Sequence, residues 1–177
     1  MQSDSRNLAQ AIFVAKVAKR ELSHTDAEPG VVFNDLYRLV SGIEPHNAPL
    51  LMTKINANSQ LRKQYPALVQ AKRFAYSETS AAASSGDELA TRQNDQFSLR
   101  FKRDTLQHSQ IFALLHIYHP TEQHNTQAVV VHVVSQQHCE RVEFPPLIAG
   151  TTQLLFAQED KQLQRLLDAD AQISIMP

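Results

Sequence analysis

A single cysteine, four glycines and no tryptophan in 177 residues exclude several chemistries before any motif is sought. With Cys139 alone, no intrachain disulfide can form, which points to a reducing compartment and hence to the cytoplasm. The glycines, at 30, 42, 86 and 150, stand singly. Neither a dinucleotide-binding G-x-G-x-x-G nor a phosphate-cradling loop can be written from them. No apolar run approaches the ~20 residues that cross a bilayer. The opening residues, Met1 to Arg6, lack the basic, apolar and small-residue parts of a secretory signal, so no membrane partner is expected. Charge of one sign is missing too. Residues 1–90 carry ten Lys+Arg against nine Asp+Glu, and residues 91–177 carry seven against nine. A broad grip on nucleic acid needs clustered, unneutralised cations, so no nucleic-acid partner is expected either.

What is present is the composition of a globular chain, 42% hydrophobic and 20% charged, with enough apolar residues for a core. Leu8, Ala11, Ile12, Ala15, Ala18 and Leu22 recur at helical spacing and predict an amphipathic first helix. Pro29-Gly30 punctuates the chain. A short helix is expected over about 32–40, a third after Asn47 with Pro49 in its first turn, and a fourth over 61–75, interrupted by Pro66. The small polar run at 77–87 then reads as the start of a linker.

Beyond it the apolar period changes from about 3.6 to 2, the mark of strands. Strands are expected near 97–101, 111–118, 128–134, 139–144, 152–157 and 172–176, with a short helix near 163–167. The two nearly all-apolar strands, 111–118 and 128–134, should lie centrally with both faces covered. The expected fold is α+β. A helical lobe at 1–76 and a linker at 77–96 lead to a strand-rich lobe at 97–177, an antiparallel meander or small sandwich.

Histidine is the most suggestive residue for chemistry. Six of the eight histidines, His108, His116, His119, His124, His132 and His138, crowd one region beside Cys139. Imidazole and thiolate are zinc's preferred ligands. Were 111–118 and 128–134 a hairpin turning near Gln123, His116 and His132 would be diagonal neighbours on one face, with His138 or Cys139 as a third ligand. Against this, no H-E-x-x-H or C-x-x-C spacing occurs, and His119 and His124 fall in a polar loop where histidine is ordinarily solvated. No metal or other cofactor is therefore favoured. Cys139 could be a nucleophile activated by an imidazole, but no signature surrounds it, and lone cysteines are often buried as small hydrophobes. Arg100, Lys102 and Arg103 form a basic stripe on one strand, the usual dress of a solvated face or a guarded edge.

No catalytic residue can be named on this basis. By elimination the chain reads as a non-catalytic interaction or accessory module acting on another protein, with homo-oligomerisation open. Phe13, Val14 and Val17 widen the first helix's apolar face and are its candidate partner-binding residues, unless that face packs on the strand-rich lobe. The rivals are a small metal-dependent enzyme built on His116, His132, His138 and Cys139, and a small-ligand sensor with a pocket between the lobes.

Overall fold

The computed structural model describes residues 31–42, 47–77, 81–82 and 88–176. Among these residues three helices come first: α1 (Phe33–Val40), α2 (Ala48–Ala57) and α3 (Ser59–Lys72). Pro49 sits in the first turn of α2, where its missing N–H costs nothing. Asn58 ends α2 and caps α3, its side chain accepting from the N–H groups of Gln60 and Leu61 at 2.9 and 3.2 Å. Helix α3 runs on through Pro66.

The remaining strands form two antiparallel sheets. One has the order β1 (Ala75–Ser77), β9 (Gln172–Ile175), β6 (Val129–Val134), β7 (Cys139–Phe144). The other has the order β2 (Ala81–Ala82), β3 (Glu88–Gln93), β4 (Phe97–Arg103), β5 (Gln110–Ile117), β8 (Thr151–Ala157). Two short helices, α4 (Glu122–Thr126) and α5 (Lys161–Leu167), lie in the connections. The α+β class and the order of helices before strands are as the sequence predicts.

Three layers result. Alternate residues of β6 face opposite ways, so Val129, Val131 and Val133 join the core between the sheets while Val130 joins a core against the helices. The inter-sheet core is filled by Phe97, Leu99, Phe101, Ile111, Leu115 and Ile117 from one side, and by Phe144, Ile173 and Ile175 from the other. The second core sets Leu36, Leu39, Ile55, Tyr65 and Leu68 against Val130, Cys139 and Met176. Among the described residues the four-stranded sheet is thus covered on both faces, and the five-stranded sheet on one.

Three expectations change. The stretch 77–96, read as a linker, supplies the end of β1 and the whole of β2 and β3. Its signal was masked because β3 alternates weakly and buries an arginine: Arg92, opposite Leu99, is fully buried between the sheets. Its guanidinium donates to the carbonyls of Ala171, at 2.7 Å, and Asp168, tying the five-stranded sheet to the turn before β9. Second, 111–118 and 128–134 are not a hairpin. β5 pairs with β4 and β8, β6 pairs with β7 and β9, and α4 carries the chain from one sheet to the other. Third, β5 has one wet face: Ile111, Ala113, Leu115 and Ile117 are buried, but Phe112 and Leu114 are only half-buried and His116 is exposed.

Candidate functional site

The separation of the two sheets decides the histidine question. His116 lies on the outer face of the five-stranded sheet, and His132 on the helix-facing side of the four-stranded sheet. The inter-sheet core stands between them. His132 is fully buried, its Nδ1 accepting from the Tyr65 hydroxyl at 2.5 Å and its Nε2 facing the Val40 carbonyl at 3.4 Å. Both ring nitrogens are satisfied by a neutral imidazole with the proton on Nε2. Burial, reinforced by the Arg141 charge, pushes its pKa down to about 3.

Cys139 lies on the same sheet face, with its main chain clamped by Asn56, whose amide donates to its carbonyl and accepts from its N–H, both at 2.8 Å. Burial pushes the thiol up to about 12, so no thiolate is at hand at neutral pH. It packs as a small hydrophobe. His138 is held in the β6–β7 turn by its N–H to Ser135 Oγ.

His124, expected in solvent, is buried. Its Nδ1 accepts from the Thr121 N–H at 3.0 Å, and Nε2 donates to the Met176 carbonyl at 2.7 Å. It serves as a latch between α4 and the end of β9. The four residues of the alternative ligand set are therefore not brought together. Among the described residues no group of three or more His, Cys, Asp or Glu is placed to hold a metal ion. Phe13, Val14 and Val17 lie outside the described residues.

The feature that stands out is the outer face of the five-stranded sheet. Side chains cross it in three rows set by strand register: Ser98–His116–Thr151, Arg100–Leu114–Gln153 and Lys102–Phe112–Leu155. Leu155 keeps 48% of its surface exposed beside Phe112. The three strands β4, β5 and β8 contain no Asp or Glu, while the neighbouring β3 sets Glu88 in register with Lys102. The His116 ring stands edge-on to Tyr118 with centroids 5.0 Å apart. At the same end a hollow of about 480 Å³ opens between Arg100, Leu114, His116, Gln153 and the segment carrying Pro145, Pro146 and Ile148. The face combines an apolar centre with positive charge.

Sequence reasoning found the basic stripe at Arg100 and Lys102 but not its setting. Phe112 and Leu114 looked like core because every residue from Ile111 to Ile117 except His116 is apolar, a pattern that cannot say which face is covered. The chain was compared with protein-family models, curated proteins and solved structures, and it matches none of them.

Proposed function

We propose that this protein is a non-catalytic interaction module that docks a partner protein on the outer face of its five-stranded sheet. The observation that carries the reading is the pairing of exposed Leu155 and partly buried Phe112 and Leu114 with exposed Arg100 and Lys102 on one sheet face. Solvated sheet faces ordinarily alternate to polar residues, and apolar ones retained there point to cover by another molecule. The charge specifies the partner's chemistry: an amphipathic segment with acidic residues flanking its apolar stripe.

The buried, free Cys139 accords with a cytoplasmic setting. No described helix is long and apolar enough to cross a membrane. A metal-dependent reaction would need His116 and His132 to converge, and they lie on opposite sides of the sandwich.

The test is quantitative capture from the native organism with wild type and with an Arg100→Glu/Lys102→Glu double variant. Both positions are exposed, so the variant should unfold at the wild-type urea midpoint. A protein recovered with wild type and lost with the double variant supports the reading. Equal recovery with both would remove it.

A second reading, small-ligand sensing, is favoured only by the hollow beside Arg100 and His116, which has the size of a ligand pocket. It would appear as thermal stabilisation by small carboxylates that Arg100→Glu abolishes.

A further inference from the structure

We infer that the protein self-associates through the free edge of β8, which pairs antiparallel with β8 of a second copy. The inference stands on the strand's backbone and goes beyond the docking reading, which concerns the sheet's face.

The ladder between β5 and β8 fixes which backbone groups are free. It is bracketed by two bonded pairs, Ile117 N–H to Gly150 O at 2.9 Å and Gln158 N–H to Ser109 O at 2.8 Å. Bonded pairs alternate in an antiparallel ladder, so Thr152, Leu154 and Phe156 exchange bonds with β5. Thr151, Gln153, Leu155 and Ala157 then turn their N–H and C=O groups outward. Thr151 is satisfied by Ile148, which donates at 2.8 Å and accepts at 3.1 Å across a tight turn. Both central residues of that turn, Ala149 and Gly150, have positive φ, the type I′ geometry. The Ala157 carbonyl accepts from Asp160 N–H at 3.0 Å. Among the described residues no strand pairs with the remaining edge, so Gln153 and Leu155 present both of their backbone groups there, and Ala157 its N–H.

The β7 edge of the other sheet is managed as a monomer's edges are. β7 carries Glu140, Arg141 and Glu143 in six residues. Short strands and charges are the usual guards against strand addition, and β8 has neither. It is seven residues long, without charge or proline, and bears exposed Leu155.

The occupant follows from the same features. An uncharged strand opposes no like charges when it meets its own copy. Ile148 occupies the place opposite Thr151, which blocks registers that slide the second strand in that direction. The most overlapping two-fold register left sets Leu155 against Leu155 of the second copy, and Gln153 against Ala157 of the second copy. All are residues whose backbone groups point outward. The two Leu155 side chains would cover part of each other's exposed surface, and the two five-stranded sheets would become one continuous sheet with a doubled outer face. A strand-edge interface of this length is small, so the dimer should form and dissociate with concentration.

Sedimentation velocity of the full chain over a concentration series tests this without any partner. Wild type should pass reversibly from monomer to dimer. Leu155→Lys, which supplies the missing guard, should remain monomeric with an unchanged urea midpoint. Leu155→Cys should form an interchain disulfide under mild oxidation, since opposed residues of a bonded pair have Cα atoms within disulfide range, whereas Gln137→Cys should not. A wild type that stays monomeric throughout, or a dimer that survives Leu155→Lys, would overturn the pairing. Partner capture is scored separately with Arg100→Glu/Lys102→Glu, which leaves β8 unchanged, so failure of the pairing and failure of docking are distinguishable.

Discussion

Tyr65 of α3 and His132 of β6 meet at 2.5 Å between the helices and the four-stranded sheet, the hydroxyl donating to Nδ1 of a neutral imidazole. The contact joins the two halves of the chain, and it makes them acid-sensitive. In the unfolded chain the imidazole takes its proton near 6.5, but in the folded protein only near about 3. A depressed native pKa means that this site's contribution to stability is complete above pH 6.5 and is lost as pH falls toward 3. Over that window the unfolded state alone binds the proton, which costs about 1.4 kcal/mol per pH unit. In urea denaturation, the stability gap between wild type and His132→Gln should be constant above pH 7. It should shrink at about that rate between pH 6 and pH 4. A gap independent of pH would mean that His132 is not held neutral.

Arg92 offers a second test, because its buried guanidinium has carbonyl partners and no bonded carboxylate. Burial draws its pKa below the usual guanidinium value, and the Asp168 charge opposes this. Arg92→Met keeps much of the stem's volume but leaves the carbonyls of Ala171 and Asp168 without their donor. Each buried orphan costs roughly 1–3 kcal/mol, offset in part by relief of the buried charge. The expected net loss is about 1–3 kcal/mol in urea. Unchanged stability would show that the tie between the sheets contributes nothing.

Val131 sits at the centre of β6, fully buried in the inter-sheet core and paired with Val142 and Ile175. Val131→Asp places a carboxylate where no partner exists, at a cost of several kcal/mol or a proton. The variant should be largely unfolded at neutral pH by near-ultraviolet circular dichroism. A native spectrum would refute the central place of β6.

Metal binding follows from where the candidate ligands lie. His132 is committed to Tyr65 and Val40, Cys139 is held as a thiol, and His116 faces solvent across the sandwich. Protein purified without a histidine tag should hold no stoichiometric zinc, nickel, iron or copper by elemental analysis. One metal per chain, lost in both His116→Ala and His132→Ala, would reverse the functional ranking.

Much of the architecture was legible because local signals agreed with it. Asn58 as a cap, Pro49 in a first turn, and the change of apolar period after Tyr76 all place elements close to where they occur. The pairing of strands was not legible. His116 and His132 share a face only if β5 and β6 form a hairpin, and nothing local to the loop says that α4 carries the chain between sheets instead. The outer face was half legible: Arg100 and Lys102 alternate visibly, whereas Phe112 and Leu114 resemble core until the described helices are seen to pack on the other sheet. Arg92 hid β3 because a buried arginine looks like a surface residue in any sequence pattern.

The claim that the outer sheet face is a docking surface is tested most directly by site-specific photocrosslinking in living cells of the native organism. A benzophenone amino acid is placed at position 112, in the row between Lys102 and Leu155, and, in a separate variant, at Leu50, 53% exposed on α2. The account predicts a discrete crosslinked species from position 112 that contains a second protein. It should disappear with Arg100→Glu/Lys102→Glu, and no counterpart should form from position 50. Crosslinking from position 50 alone, or a species at 112 indifferent to the charge reversal, would contradict it.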